Sequence, residues 1–259
     1  MPVLSTVGAA SLRAFGAFRP TSAAPFIVAT SSGAGATEYP DPTDANYKIH
    51  QFTSDGTFTI SASPVSATIQ LMMVGGGGGG FYGGGGAGGY IYRSAFSVSV
   101  GSYSAVIGAG GGSGTSGGDT TFGGLTALGG GHGNEASGGS GGGGVDGNGG
   151  SGLQPTSASG GFGNKGGNWT SAGNDGGGGG AGGAGGVPTG GAGRGAEIPS
   201  SGGVYAVFAS GGYGNSSSTS TALPAVVANS GNGGWGGGYN SISFGSGQAG
   251  IIRIRYKFQ

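Results

Sequence analysis

The sequence predicts an all-β protein: β-sandwich-like strands at both ends of a domain, a stacked polyglycine II helix region between them, and an extended N-terminal arm. Three observations carry this reading. Short segments near both ends of the domain alternate apolar and polar residues with the period of two expected of half-buried strands. Glycine is concentrated between those segments. Of 74 glycines only Gly8, Gly16, Gly33, Gly35 and Gly56 fall in residues 1–74. Finally, no segment carries the apolar period of an amphipathic helix.

Residues 1–45 form the expected arm. They hold Pro2, Pro20, Pro25, Pro40 and Pro42, half the 10 prolines of the chain. Proline fixes φ and removes a donor, so little helix or sheet is expected there. The cluster Leu12, Arg13, Phe15, Phe18 and Arg19 has little use in a solvated tail and reads as a docking patch that orders on a partner.

The domain is expected over residues 46–259. "YKIHQFTSDGTFTI" sets Tyr47 and Ile49 on one parity, then Phe52, with the turn signal Asp55-Gly56 before Phe58 and Ile60. "ATIQLMMV" puts Ile69, Leu71 and Met73 on one face. "SAFSVSVGSYSAVI" does the same with Phe96, Val98 and Val100 against Ser97 and Ser99. The closing "IIRIRYKFQ" is the clearest strand. Its Ile252, Ile254, Tyr256 and Phe258 oppose Arg253, Arg255 and Lys257. Strands on both sides of the glycine zone imply a chain that returns to the sheet it left.

The middle, residues 129–248, alternates glycine runs with polar stretches. Gly and Pro together make 84 of 259 residues, a share that signals low complexity. Yet disordered chains normally stay soluble through charge. Here the charged groups between Gly131 and Gly250 are only Glu135, Asp146, Lys165, Asp175, Arg194 and Glu197. The absence of a Gly-X-Y period excludes collagen, and the aspartates are too few for a calcium-binding nonapeptide repeat.

Runs such as "LMMVGGGGGGFYGGGGAGGYIYR" (71–93) have another use. An extended three-residue-per-turn helix points all its N–H and C=O groups outward. With glycine throughout, such helices can lie side by side and bond to one another. A run of six to nine residues rises roughly 19–28 Å, enough to cross a small domain. An interior of this kind also leaves no position for a charge.

Composition and motifs argue against most chemistry. The formal net charge is zero, which removes an electrostatic case for nucleic acid or anionic membrane. There is no cysteine, hence no disulfide or thiolate metal site. No apolar run approaches the roughly 20 residues of a membrane-spanning helix, and the N-terminus lacks a secretory pattern. A soluble, non-exported chain without cofactor or metal is expected. Gly-x-Gly-x-x-Gly recurs merely because glycine is abundant, with no strand–helix setting for a dinucleotide. Gly163-Asn164-Lys165-Gly166 lacks the hydroxyl of a phosphate-binding loop. His132 with Asp119 or Asp146 has no nucleophile elbow to serve, and Glu135 with Asp146 is unsupported as a glycosidase pair. The expectation is a protein that is not an enzyme.

The succession "FTSDGTFTI", "ATIQLMMVGGGGGG", "GGGAGGYIYRSAFSVSVGSYSAVIGAGG", "GGDTTFGGLTALGGG" and "GSGQAGIIRIRYKFQ" resembles the glycine-rich domain of bacteriophage tail and fibre proteins. The resemblance spans residues 47–257. It implies a virion structural protein, a tail-fibre or tail-tip adhesin made in the bacterial cytoplasm and assembled into the tail. Its partners would be other tail or baseplate proteins, through residues 1–45, and a host cell-surface glycan or protein. It also implies a homotrimer, with neither nucleic acid nor membrane insertion. The alternative is a capsid or tail decoration or joining protein that binds no receptor. Aromatic rings set in glycine and polar turns suit sugars and protein anchors alike. The receptor-binding candidates are therefore Phe162, Lys165, Trp169, Tyr213, Trp235 and Tyr239, and the longest candidate loops are 153–173 and 204–227. An ice-binding stack would need a more regular face.

Overall fold

The alternating segments pair into two five-stranded antiparallel sheets whose apolar faces meet. A computed structural model describes residues 25–171, 174–215, 228–237 and 244–259. Its strands are β1 (Val28–Ser32), β2 (Ala36–Pro40), β3 (Tyr47–Phe52), β4 (Gly56–Ala62), β5 (Thr68–Val74), β6 (Tyr90–Ser97), β7 (Gly101–Val106), β8 (Thr120–Phe122), β9 (Leu125–Ala127), β10 (Arg194–Gly195), β11 (Val207–Phe208) and β12 (Ile251–Lys257). One sheet has the order β1-β4-β7-β8-β9 and the other β2-β3-β12-β5-β6; β10 and β11 form a separate ribbon. The C-terminal strand thus lies between β3 and β5, with Ile254 opposite His50 on one side and Leu71 on the other. The chain does return to the sheet it left.

Between the sheets, Phe58 and Ile60 of β4 and Phe122 of β8 meet Phe52, Ile69, Leu71, Met73, Ile252, Ile254 and Tyr256. Burying a side chain of this size stabilises by about 1.5–3 kcal/mol, so the sandwich core is a main source of stability. The parity expected for β5 and β12 holds. One expected strand is divided, however. Val98 and Val100 lie in the turn joining β6 to β7, where Val100 is exposed.

The expectation of little sheet in residues 1–45 is corrected for residues 28–40. Strand β1 pairs with β4 and β2 with β3, one in each sheet. The prolines misled because both strands lie at sheet edges. Pro25 precedes β1 and Pro40 closes β2, places where the missing donor costs no ladder bond. Gly33, with φ +124°, carries the chain between the sheets; a side chain there would strike the Asp55 carbonyl. Residues 1–24, with the docking candidates Leu12, Arg13, Phe15, Phe18 and Arg19, lie outside the described residues.

The central strands of the second sheet, β5 and β12, are buried on both faces, not half-buried. Ile49, Met72, Val74, Tyr90 and Ile251 point away from the sandwich and are covered by Ala181, Ala196, Ile198, Phe208 and Ala209. Three side chains of the sheet also donate to this covering strap: Tyr39 to the Pro199 carbonyl, Tyr90 to that of Gly195 and Arg253 to that of Ile198.

The glycine runs stand on the ends of the strands as a lattice of parallel and antiparallel polyglycine II helices. Residues 75–80 make the pattern plain. Gly75 and Gly78 donate to Gly89 and Gly86, Gly76 and Gly79 to Gly118 and Thr115, and Gly77 and Gly80 to Gln248 and Gly245, at 2.8–3.0 Å. Donors three residues apart reach the same neighbouring helix, as three residues per turn requires. The carbonyls of the same run accept from Gly130 and Gly133, Gly111 and Gly114, and Gly234. One helix is therefore bonded to neighbours all round. Its glycines are needed for close approach. A Cβ on Gly77, Gly79, Gly80 or Gly85 would fall inside contact distance of a neighbouring backbone carbonyl. Where a methyl does occur in the interior, at Ala87, it joins the apolar cover of the second sheet.

Candidate recognition surface at the lattice tip

Six glycines lead away from β5, and residues 83–89 lead back to β6. The turn between these helices, Phe81-Tyr82, therefore marks the end of the lattice remote from the sandwich. Hydrogen bonds tie further turns to it. The Phe81 carbonyl accepts from Gly237 (2.7 Å), the Tyr82 carbonyl from Asn215 (3.2 Å) and the Tyr213 carbonyl from Gly236 (2.7 Å). Gly114 donates to the carbonyl of Gly80 (3.0 Å), and Gly133 bonds Gly79 (2.9 Å) and Gly83 (3.1 Å). The tip is thus a set of short turns held on a rigid bundle.

Its centre is aromatic. The Phe81 and Tyr82 rings meet edge to face with centroids 4.7 Å apart, Phe81 stacks on Phe244 at 5.3 Å, and Tyr82 meets Phe244 at 5.7 Å. Tyr82 keeps 40% of its surface exposed. Offset and edge-to-face pairs of this kind add about 0.5–1.5 kcal/mol beyond area burial, so the cluster is a formed knob. Among the described turns at this end there is no lysine or arginine, and Glu135 and Asp146 supply the exposed or partly exposed acids.

The sequence candidates divide between the two ends of the lattice. Tyr213 and Trp235 lie on polyglycine segments whose backbones reach the tip; the Tyr213 carbonyl accepts from Gly236 and the Trp235 carbonyl from Gly245 at 2.9 Å. Trp169 lies in another tip turn, its amide bonded to the Gly147 carbonyl at 2.8 Å, next to exposed Asn168, whose side chain accepts from Gly149. Lys165 is exposed, and its carbonyl accepts from Gly185. Phe162 does not join them. It bridges Tyr90 where β6 begins, at the sandwich end, with the Arg194 guanidinium 3.7 Å over its ring. Tyr239 and residues 216–227 of the second candidate loop lie outside the described residues.

Phe81, Tyr82 and Phe244 were not among the sequence candidates, although a signal existed. An aromatic pair between two glycine runs must occupy the turn between two polyglycine helices, because neither ring fits inside the lattice.

Around Phe162 the strap makes a second polar cluster. Arg194 pairs with Glu197 at 3.2 Å, and the Glu197 carboxylate accepts from the Tyr90 hydroxyl. Burial, with that carboxylate beside it, pushes the Tyr90 phenol up. Every group in this cluster has a structural partner, and it fastens the strap to the sheet.

Two concave places lie among the described residues. An open groove of about 390 Å³ runs along Ser102, Tyr103, Thr121 and Leu125. A cavity of about 200 Å³ at the base is lined by Pro25, Phe26, Pro64, Ala67 and Lys257. Neither gathers a histidine or carboxylate, and among the described residues no three His, Asp or Glu side chains come together as metal ligands do. Among the same residues no helix is long and apolar enough to cross a membrane.

No curated protein matches the chain in a sequence search. A family defined as a glycine-rich domain matches residues 53–257, from just before β4 to the last residue of β12. By that match, which covers most of the chain, the protein belongs to the glycine-rich domain family.

Proposed function

We propose that the chain is a phage virion protein, a tail-fibre or tail-tip adhesin that attaches through its N-terminal residues and meets the host surface through the turns at the lattice tip. The observation that carries this reading is the Phe81–Tyr82–Phe244 knob, with Tyr82 exposed, on a rigid lattice end. Aromatic anchors held by a preorganised scaffold lose little freedom on binding, and such residues dominate recognition surfaces. Tyr213, Trp235 and Trp169 on nearby segments extend the surface. Its partner is a host cell-surface glycan or protein. The lack of basic residues at the described tip makes the contact weakly dependent on salt. Attachment through the N-terminal residues to tail or baseplate proteins is favoured by Pro25 and Phe26, which enter at the base, beyond the strand ends remote from the tip. A homotrimer is the assembly expected of a fibre component.

The test uses the purified full chain, added to host cells before phage particles that carry it. Adsorption is expected to fall. Phe81→Ala or Tyr82→Ala should weaken that inhibition about 30-fold, the loss expected when an anchor worth about 2 kcal/mol is truncated, with the melting temperature lowered by only a few degrees. Phe162→Ala, at the sandwich end, should inhibit like the parent chain. A folded chain that neither binds cells nor slows adsorption would favour a joining or decoration protein that binds no receptor.

A further inference from the structure

His50 is a group that the recognition surface does not use. It lies on β3, facing the sandwich interior, and is completely buried. Its ring spans the two sheets. Nδ1 lies 2.9 Å from the Ser31 hydroxyl on β1, and Nε2 lies 3.1 Å from the Tyr256 hydroxyl on β12. The ring also stacks on Tyr256 at 5.6 Å and meets Phe58 of β4 edge-on at 5.1 Å. On β2, directly opposite in register, Glu38 brings Oε2 to 3.8 Å from Nε2 while its other oxygen holds Lys48 at 2.7 Å. The titratable and charged groups facing the ring are therefore Glu38, Lys48 and Tyr256.

We propose that His50 is an acid-sensitive latch for the β1–β2 segment, so that its protonation releases these two edge strands, and the N-terminal residues attached to them, before the rest of the sandwich opens. The neutral ring has one donor and one acceptor, which two hydroxyls satisfy. A charged ring needs two acceptors and places a positive charge in the core. Each of β1 and β2 pairs with a single neighbour, so releasing them breaks one ladder in each sheet and wets the imidazole. Central strands offer no such partial opening.

The direction in pH follows from the ring's environment. Burial lowers the His50 pKa from 6.5 to about 4, opposed by the Glu38 carboxylate and assisted by Lys48. The opened state, with its ordinary histidine, binds the proton more tightly. Stability of the latch is therefore complete above about pH 6.5 and falls as pH drops toward 4. The opening constant rises about tenfold per unit across that window, about 300-fold in all. Below pH 4 the histidine adds nothing further.

Hydrogen exchange of the full chain at about pH 7 and about pH 4.5, corrected for the intrinsic pH dependence of exchange, tests the proposal. Protection should fall about 60-fold in residues 28–40, as the same linkage gives between those two pH values, and stay high in β5 and β12. His50→Gln, which keeps a donor and an acceptor but cannot titrate, should remove the difference. Equal protection at both pH values, uniform loss across all strands, or unchanged pH dependence in His50→Gln would each overturn the latch. NMR titration of the unsubstituted chain gives a second readout should that variant fail to fold. A His50 ring titrating near its ordinary 6.5 would overturn the proposal; one titrating far below it supports it.

Discussion

Gly79→Ala should lower the melting temperature by on the order of 10 °C, while Gly112→Ala should leave it unchanged or raise it slightly. Both changes add one methyl to a glycine of the lattice. At Gly79 that methyl would meet the carbonyl group of Gly112, a piece of backbone that cannot swing aside. The Gly79 amide is committed to Thr115 and its carbonyl to Gly133, so the helix cannot retreat without breaking bonds to two neighbours. Overpacking a core side chain costs typically 1–3 kcal/mol, and a rigid backbone neighbour sets the cost here at about 3–5 kcal/mol. For a domain of this size each kcal/mol moves the midpoint by roughly 2–4 °C. At Gly112 a methyl would meet nothing within 4 Å. There the remaining effect is on the unfolded chain, which alanine restricts by about 0.4–1 kcal/mol in favour of folding. Opposite signs from one chemical change would establish that these glycines serve close approach. Equal midpoints for both variants would mean that the lattice yields to a methyl, and close packing would not be its basis.

Much of this architecture is legible in the residues because two short-range rules act without competition. Period-two alternation places Ile252, Ile254 and Tyr256 in the core, and glycine runs too poor in charge for a solvated tract must pack on each other. What the residues leave open depends on contacts between distant segments. The burial of Met72 and Val74 on the outer face of their sheet requires the strap at 194–208, which no local pattern announces. Strands β1 and β2 are short, polar on their outward faces and flanked by prolines, so local signals favour an arm. Only pairing with β4 and β3 reveals them. The tip was half legible. Trp169, Tyr213 and Trp235 were picked out as rings among glycines, yet the same rule put Phe162 with them. Composition gives no direction along the lattice, and only the hydrogen-bonded order of helices tells a tip turn from a turn at the sandwich.

The family match begins at residue 53, and a fragment starting at residue 46 would retain all of it. We expect that fragment to fold but to melt roughly 10–25 °C below the full chain and to associate, while residues 25–259 melt within a few degrees of the full chain. Removing residues 1–45 strips one edge from each sheet and takes Ile27 and Ala29 out of the sandwich core. It also removes the Tyr39 hydroxyl from the strap, the Ser31 hydroxyl from His50 and the Asp41 carboxylate from Arg255. The last loss is severe. The Asp41 side chain is fully buried and that of Arg255 nearly so. Burial alone would raise the Asp41 carboxyl, but hydrogen bonds from Thr43 and the Arg255 guanidinium hold it below its ordinary value. Breaking a buried pair by removing one partner costs about 3–5 kcal/mol, and the lost Ile27 burial about 2 more. Against a typical total of about 5–15 kcal/mol, these losses alone consume a large part of the stability. The exposed edges of β3 and β4 would then invite association between copies. Circular dichroism through a thermal ramp, with light scattering on the same samples, separates the outcomes. A monomeric fragment 46–259 melting like the full chain would make β1 and β2 dispensable decoration. Aggregation or an early transition would show that the folded unit extends upstream of residue 46, beyond the start of the family match.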